Sequence, residues 1–115
     1  MRRAEVFWAD LAPRSGAEQT GRRPVIVVSH DGFNDAPGWR SVIVVPLSTS
    51  AAQARRGPTA IPLMPGAGGL SKGGVALCHQ VTTLDRAKLT ERLGVLPAET
   101  VAQIEDGLRA ALDLQ

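Results

Sequence analysis

The sequence predicts a mainly β fold with one C-terminal helix, a strongly bent antiparallel sheet or small barrel whose opening the helix covers. Three observations lead there. Short runs rich in β-branched or apolar residues, at about 5–11, 24–29, 41–47, 59–64, 74–81 and 89–95, are separated by Gly, Pro, Ser and Asn clusters. The one convincing helical periodicity comes last, after Pro97. A chain of 115 residues makes a single domain, 1–115, with one modest core.

The first run, Glu5-Val6-Phe7-Trp8-Ala9-Asp10-Leu11, is apolar between carboxylates. The whole chain has two Phe, two Trp and no Tyr, so Trp8 is expected to pack, with base stacking as the alternative. Gly16 and Gly21 then bound a small polar loop, and Pro24 fixes the start of the strand Val25-Ile26-Val27-Val28. Arg23 is thereby held at the strand mouth, where a guanidinium can meet phosphate; solvated loop charge is the competing account of Arg22 and Arg23. The third run closes on Val44-Val45-Pro46-Leu47-Ser48-Thr49-Ser50. Residues 50–58, with Arg55 and Arg56, and the glycine-rich 65–74 are expected as mobile loops, and Trp39, in a loop before a strand, is free to touch a ligand. Cys78, the sole cysteine, reads as a buried inert thiol. Pro97 and Glu99 mark the start of the helix, and Val101, Ile104, Leu108, Ala111 and Leu112 fall on one face, with Glu105, Asp106, Arg109 and Asp113 off it.

Net charge is only +2, but residues 1–58 carry eight Lys/Arg against five Asp/Glu while residues 59–115 carry five against six. A local basic surface of that size suits a few nucleotides better than a long duplex. His30 and His79 have no second ligand at a recognised metal spacing, and Lys72, followed by two glycines, breaks any phosphate-loop pattern. No apolar stretch is long enough for a signal peptide or a membrane span, which leads to the expectation of a cytoplasmic protein without cofactors. The remaining reactive groups, arginine, hydroxyls and a few carboxylates, fit a reaction whose nucleophile comes with the substrate: the 2′-OH of RNA.

The aromatic-acidic first strand, the loop Gly16-Ala17-Glu18-Gln19-Thr20-Gly21-Arg22-Arg23-Pro24, the Val45-Pro46-Leu47-Ser48 segment and Gly74-Val75-Ala76-Leu77-Cys78-His79-Gln80-Val81 together carry a resemblance. The chain resembles the MazF/PemK family of toxin endoribonucleases over nearly its whole length. The resemblance implies an SH3-like barrel, a homodimer, an acidic MazE-like antitoxin, and metal-independent, sequence-specific cleavage of single-stranded RNA to 2′,3′-cyclic phosphate and 5′-OH ends. Arg23 matches the family's arginine and would stabilise charge at the phosphoryl oxygens. Ser48 stands where the family has threonine, so the working hydroxyl is Ser48 on register, or Thr49 if the register slips by one. Neighbours in a strand face opposite sides, so only one of the two reaches a given cleft. Glu18 and Gln19 in the loop, and Gln80 from the opposite side, match positions that would read base edges. Arg14, Arg22, Arg55 and Arg56 would hold backbone phosphate.

Two non-enzymatic alternatives share the fold. Gyrase-poisoning relatives seize a protein target through a Trp-Gly-Ile tail, whereas this chain ends Leu112-Asp113-Leu114-Gln115. A member that binds RNA without cutting it is the other, and the serine at position 48 is the departure that raises it.

Overall fold

The computed structural model describes residues 1–12, 16, 21–50, 52, 55 and 57–115. Seven strands form one sheet: β1 (Glu5–Asp10), β2 (Arg22–Val27), β3 (Ser41–Ser48), β4 (Ala60–Leu63), β5 (Gly74–Leu77), β6 (Thr82–Asp85) and β7 (Leu89–Val95). A one-turn helix α1 (Asp31–Asn34) precedes β3, and α2 (Ala98–Leu112) ends the chain. The order is β4-β5-β3-β2-β1-β7, with β6 also beside β3 and every pairing antiparallel.

β3 is the axis of this arrangement. One edge pairs with β2 from Val25↔Pro46 to Val27↔Val44. The other edge changes partner along its length, taking β6 at Ser41–Val44 and β5 at Leu47 and Ser48. That change accounts for the largest departure from the expected strands. The apolar run 74–81 is not one strand: it stops at Leu77, turns through Cys78–Gln80, and resumes as β6, which the sequence pattern did not reveal. A four-residue strand flanked by neither Gly nor Pro carries too little periodicity to stand out.

Alternation along the strands builds two cores. Val6, Ile26, Val45 and Leu47 face α2 and pack with Leu63, Ala76, Cys78, Leu96 and Ile104. Phe7, Ala9, Leu11, Val25, Val27, Val42 and Val44 face the other way and pack with Leu84 and Leu89. On α2, Ile104 and Gly107 are buried, while Leu112, expected on the same face, is 53% exposed. Gly107 is buried because a Cβ there would lie 2.7 Å from Cys78 Sγ and 3.1 Å from Ile61, so the helix can seat only without a side chain at this point.

The end strands β4 and β7 are not hydrogen-bonded to each other. The gap is spanned by the β4–β5 connection, whose short turn Ala67–Gly69 presses on β7: a Cβ on Gly69, which has φ +82°, would sit 2.1 Å from the carbonyl oxygen of Leu93. This stretch, expected as a mobile loop, is a packed closure between backbones.

Candidate active site

The hairpin β1–β2 places Arg23 directly opposite Ala9, and Arg22 opposite Asp10. Ala9, Val25 and Val27 belong to one core, so Arg23 continues that face past the end of the apolar run and is half-buried there. The last β2–β3 pair is Val25 with Pro46, and the same register continued by two positions would bring Arg23 opposite Ser48. Ser48 lies on the same face by alternation from Val42 and Val44. Its side chain is nearly enclosed, the residue being 6% exposed, and Oγ accepts a hydrogen bond from the Ser50 N–H at 3.1 Å. That acceptor role leaves the hydroxyl proton to donate elsewhere.

Thr49 is exposed and points to the other side, into a cavity of about 230 Å³ that it lines with Trp8, Pro24, Leu70, Lys72 and Leu93. Trp8 and Pro24 are register partners on β1 and β2. The Arg22 guanidinium lies over the Trp8 ring at 4.3 Å from its centroid and 3.5 Å from Glu91. Arg22 is therefore tethered rather than a loose loop charge, and Trp8 is half-buried and shared between packing and the cavity wall. Sequence reasoning missed this hollow, which needs five separate segments, around Trp8, Pro24, Thr49, residues 69–73 and Leu93, to converge.

Gln80 sits in the turn between β5 and β6, on the opposite edge of β3 from Arg23, where β3 changes partner. Arg55 is exposed. Arg14, Glu18, Gln19 and Arg56 lie outside the described residues.

Cys78 is fully enclosed, its thiol 3.7 Å from the Ile104 carbonyl oxygen, and burial pushes its pKa to about 11. His30 caps α1, its Nδ1 accepting from the Gly32 N–H at 2.8 Å. Trp39 is 46% exposed and packs on Phe33 at 5.1 Å between centroids. Among the described residues, no three His, Cys, Asp or Glu side chains gather as a metal site would require, and no helix is long and apolar enough to cross a membrane.

A family model for the PemK-like, MazF-like toxin of type II toxin-antitoxin systems matches residues 2–112. The chain belongs to the PemK/MazF toxin family. Endoribonuclease MazF6 of Mycobacterium tuberculosis is 35% identical over 112 residues, which is 97% of this chain and 96% of that one, and Endoribonuclease MazF2 of Mycobacterium bovis matches to the same extent. A mycobacterial endoribonuclease solved in complex with its cognate antitoxin superposes with a TM-score of 0.81 at 26% identity, covering 100% of this chain and 97% of that one. MazF from Deinococcus radiodurans gives 0.81 at 27%, covering 99% and 97%. Membership in the PemK/MazF family settles the class of activity: the chain is an endoribonuclease toxin of a toxin–antitoxin system.

Proposed function

We propose that the chain cleaves single-stranded messenger RNA by transesterification at the face shared by Arg23 and Ser48. The observation that supports this reading is the β2–β3 register, which pairs Val25 with Pro46 and, continued by two positions, brings Arg23 opposite Ser48. RNA supplies the nucleophile. The 2′-oxygen attacks phosphorus, the bond to the 5′-oxygen breaks, the 2′ proton leaves and the departing 5′-oxygen takes one up, giving a 2′,3′-cyclic phosphate and a 5′-OH end. Arg23, an always-charged fork of donors, holds the phosphoryl oxygens as charge builds on them. Ser48 donates its hydroxyl proton to the same group and fixes the line of attack.

Glu18, Gln19 and Gln80 read base edges, and Arg14 holds backbone phosphate. Thr49 belongs to the RNA-binding surface on the opposite side of the strand. The toxin acts in the cytoplasm as a homodimer, and a MazE-like antitoxin covers the basic surface with a disordered acidic segment, attracted by the charges that attract RNA.

The test is incubation of the pure protein with a long mixed-sequence RNA in EDTA, followed by mapping of the 5′ ends. Discrete cuts with 5′-OH termini, and an intact DNA of the same sequence, are expected. Cleavage that vanishes on chelation and returns with Mg²⁺ overturns the mechanism, and RNA that is bound but never cut makes the protein a non-catalytic binder.

A further inference from the structure

The cavity on the Thr49 side has the makings of a nucleotide site in its own right. Its apolar lining comes from Trp8, Pro24, Leu70 and Leu93. Its polar side chains are Thr49, Ser71 and Lys72, no carboxylate lines it, and Arg22 adds a second cation above Trp8. The backbone N–H groups of Ser71 and Lys72 make no hydrogen bond to any described residue. At about 230 Å³ it is smaller than the ~300–1,000 Å³ of sites for drug-sized ligands, a size suited to a small planar group such as one base. An apolar slot with an aromatic wall, hydroxyls from Thr49 and Ser71 and cations at the rim is what an unstacked base with its phosphate requires. Thr49 follows Ser48 directly, their Cα atoms ~3.8 Å apart, so the slot and the cleavage face are separated by the thickness of one strand.

We propose that this cavity is a specificity subsite that takes a single RNA base beside the cut phosphate, with Thr49 hydrogen-bonding the base edge and Lys72 holding that nucleotide's phosphate. The inference rests on the RNA-cleaving reading above and extends it: Thr49 selects where the toxin cuts, while Ser48 takes part in the cut. Arg22, over the Trp8 ring and 3.5 Å from Glu91, brings its cation to the aromatic wall.

Two measurements decide it. Cut sites on a mixed-sequence RNA are mapped for the native protein, Thr49→Val, Thr49→Ser and Lys72→Ala. Thr49→Val is expected to flatten the preference at one position beside the cut and to raise KM more than it lowers kcat, while Thr49→Ser restores the preference. Lys72→Ala is expected to weaken binding for all sequences and to reduce the salt dependence of binding by about one counterion. In parallel, Trp8 fluorescence is followed in a Trp39→Phe background as a short RNA with a 2′-deoxy substitution at the cut nucleotide is added; quenching is expected, and it is read without any cleavage. An unchanged site preference in both Thr49→Val and Lys72→Ala, or no change in Trp8 emission on RNA saturation, overturns the subsite. So does a dead Thr49→Val beside an active Ser48→Ala, which makes Thr49 the reacting hydroxyl. If the native protein cuts nothing, the cleavage reading fails, and the fluorescence titration still decides whether the cavity takes a base.

Discussion

At the scale of single residues, the proposed mechanism divides the work between Arg23, which carries charge, and Ser48, which fixes position. Removing a donor aimed at developing phosphoryl charge costs roughly 10²-fold to 10³-fold in rate by analogy with oxyanion donors, and Arg23→Ala is expected to fall in that range. Arg23→Lys recovers little, because an ammonium lacks the fork. Ser48→Ala is expected to lose cleavage strongly and Ser48→Thr to keep it, with RNA affinity barely altered in either; single-turnover rates beside binding isotherms check all four. Titration supplies a second expectation. Burial alone would raise the Glu5 carboxyl, but hydrogen bonds from the Arg92 side chain and the Arg2 N–H outweigh it and hold the pKa below its ordinary 4.5. A lowered folded-state pKa means stability that is fully present above 4.5 and is lost as pH falls through the folded value. Glu5→Gln should therefore lower the melting temperature at neutral pH and flatten the acid limb of the stability curve, measured by thermal melts from pH 7 to pH 3.

Among the elements, α2 and the β5–β6 turn are fitted to each other at one point. Gly107→Ala gains about 1 kcal/mol of helix propensity yet is expected to destabilise, since its Cβ would meet Cys78 Sγ at 2.7 Å. Cys78→Ala vacates that space. The double variant should be more stable than the sum of the single changes predicts, and denaturant melts of the four proteins give the coupling directly.

The same junction shows what the sequence could and could not convey. Strands β1, β2, β3 and β7 were legible because each alternates or runs apolar between clear breakers, and α2 because Pro97 and the three-four spacing agree. The break at Cys78 was not, because it answers to β3 needing two partners on one edge, which is a property of the pairing and not of the segment. At the site, the motif nominates Arg23 and Ser48, and the register puts the two positions on one face. The Thr49 cavity depends on Lys72, from the β4–β5 connection, and Leu93, from β7, arriving beside Trp8 and Pro24, and no local pattern encodes that.

For the molecule as a whole, the decisive pairing is β1 with β7, from Glu5↔Val95 to Ala9↔Leu89, backed by the Leu96 N–H donating to the Ala4 carbonyl oxygen. β1 thus has one partner close in sequence and another nearly the full length of the chain away. On a ribosome adding about 5–20 residues per second, β1 waits several seconds with one edge bare before β7 is made. Pairings of such long range also make the final step slow, in the range of milliseconds to seconds. Until β7 docks, Leu93 is missing from the Thr49 cavity and the Ala67–Gly69 turn has nothing to press against. Ribosome-bound chains halted before Leu89 should therefore leave RNA intact, and chains extended beyond α2 and a tunnel-length linker should cut it, as a comparison of the two arrested lengths on the same RNA would measure. Synthesis itself becomes a safety interval: a toxin whose first strand is completed by its last cannot poison the message, or the ribosome, from which it is still being made.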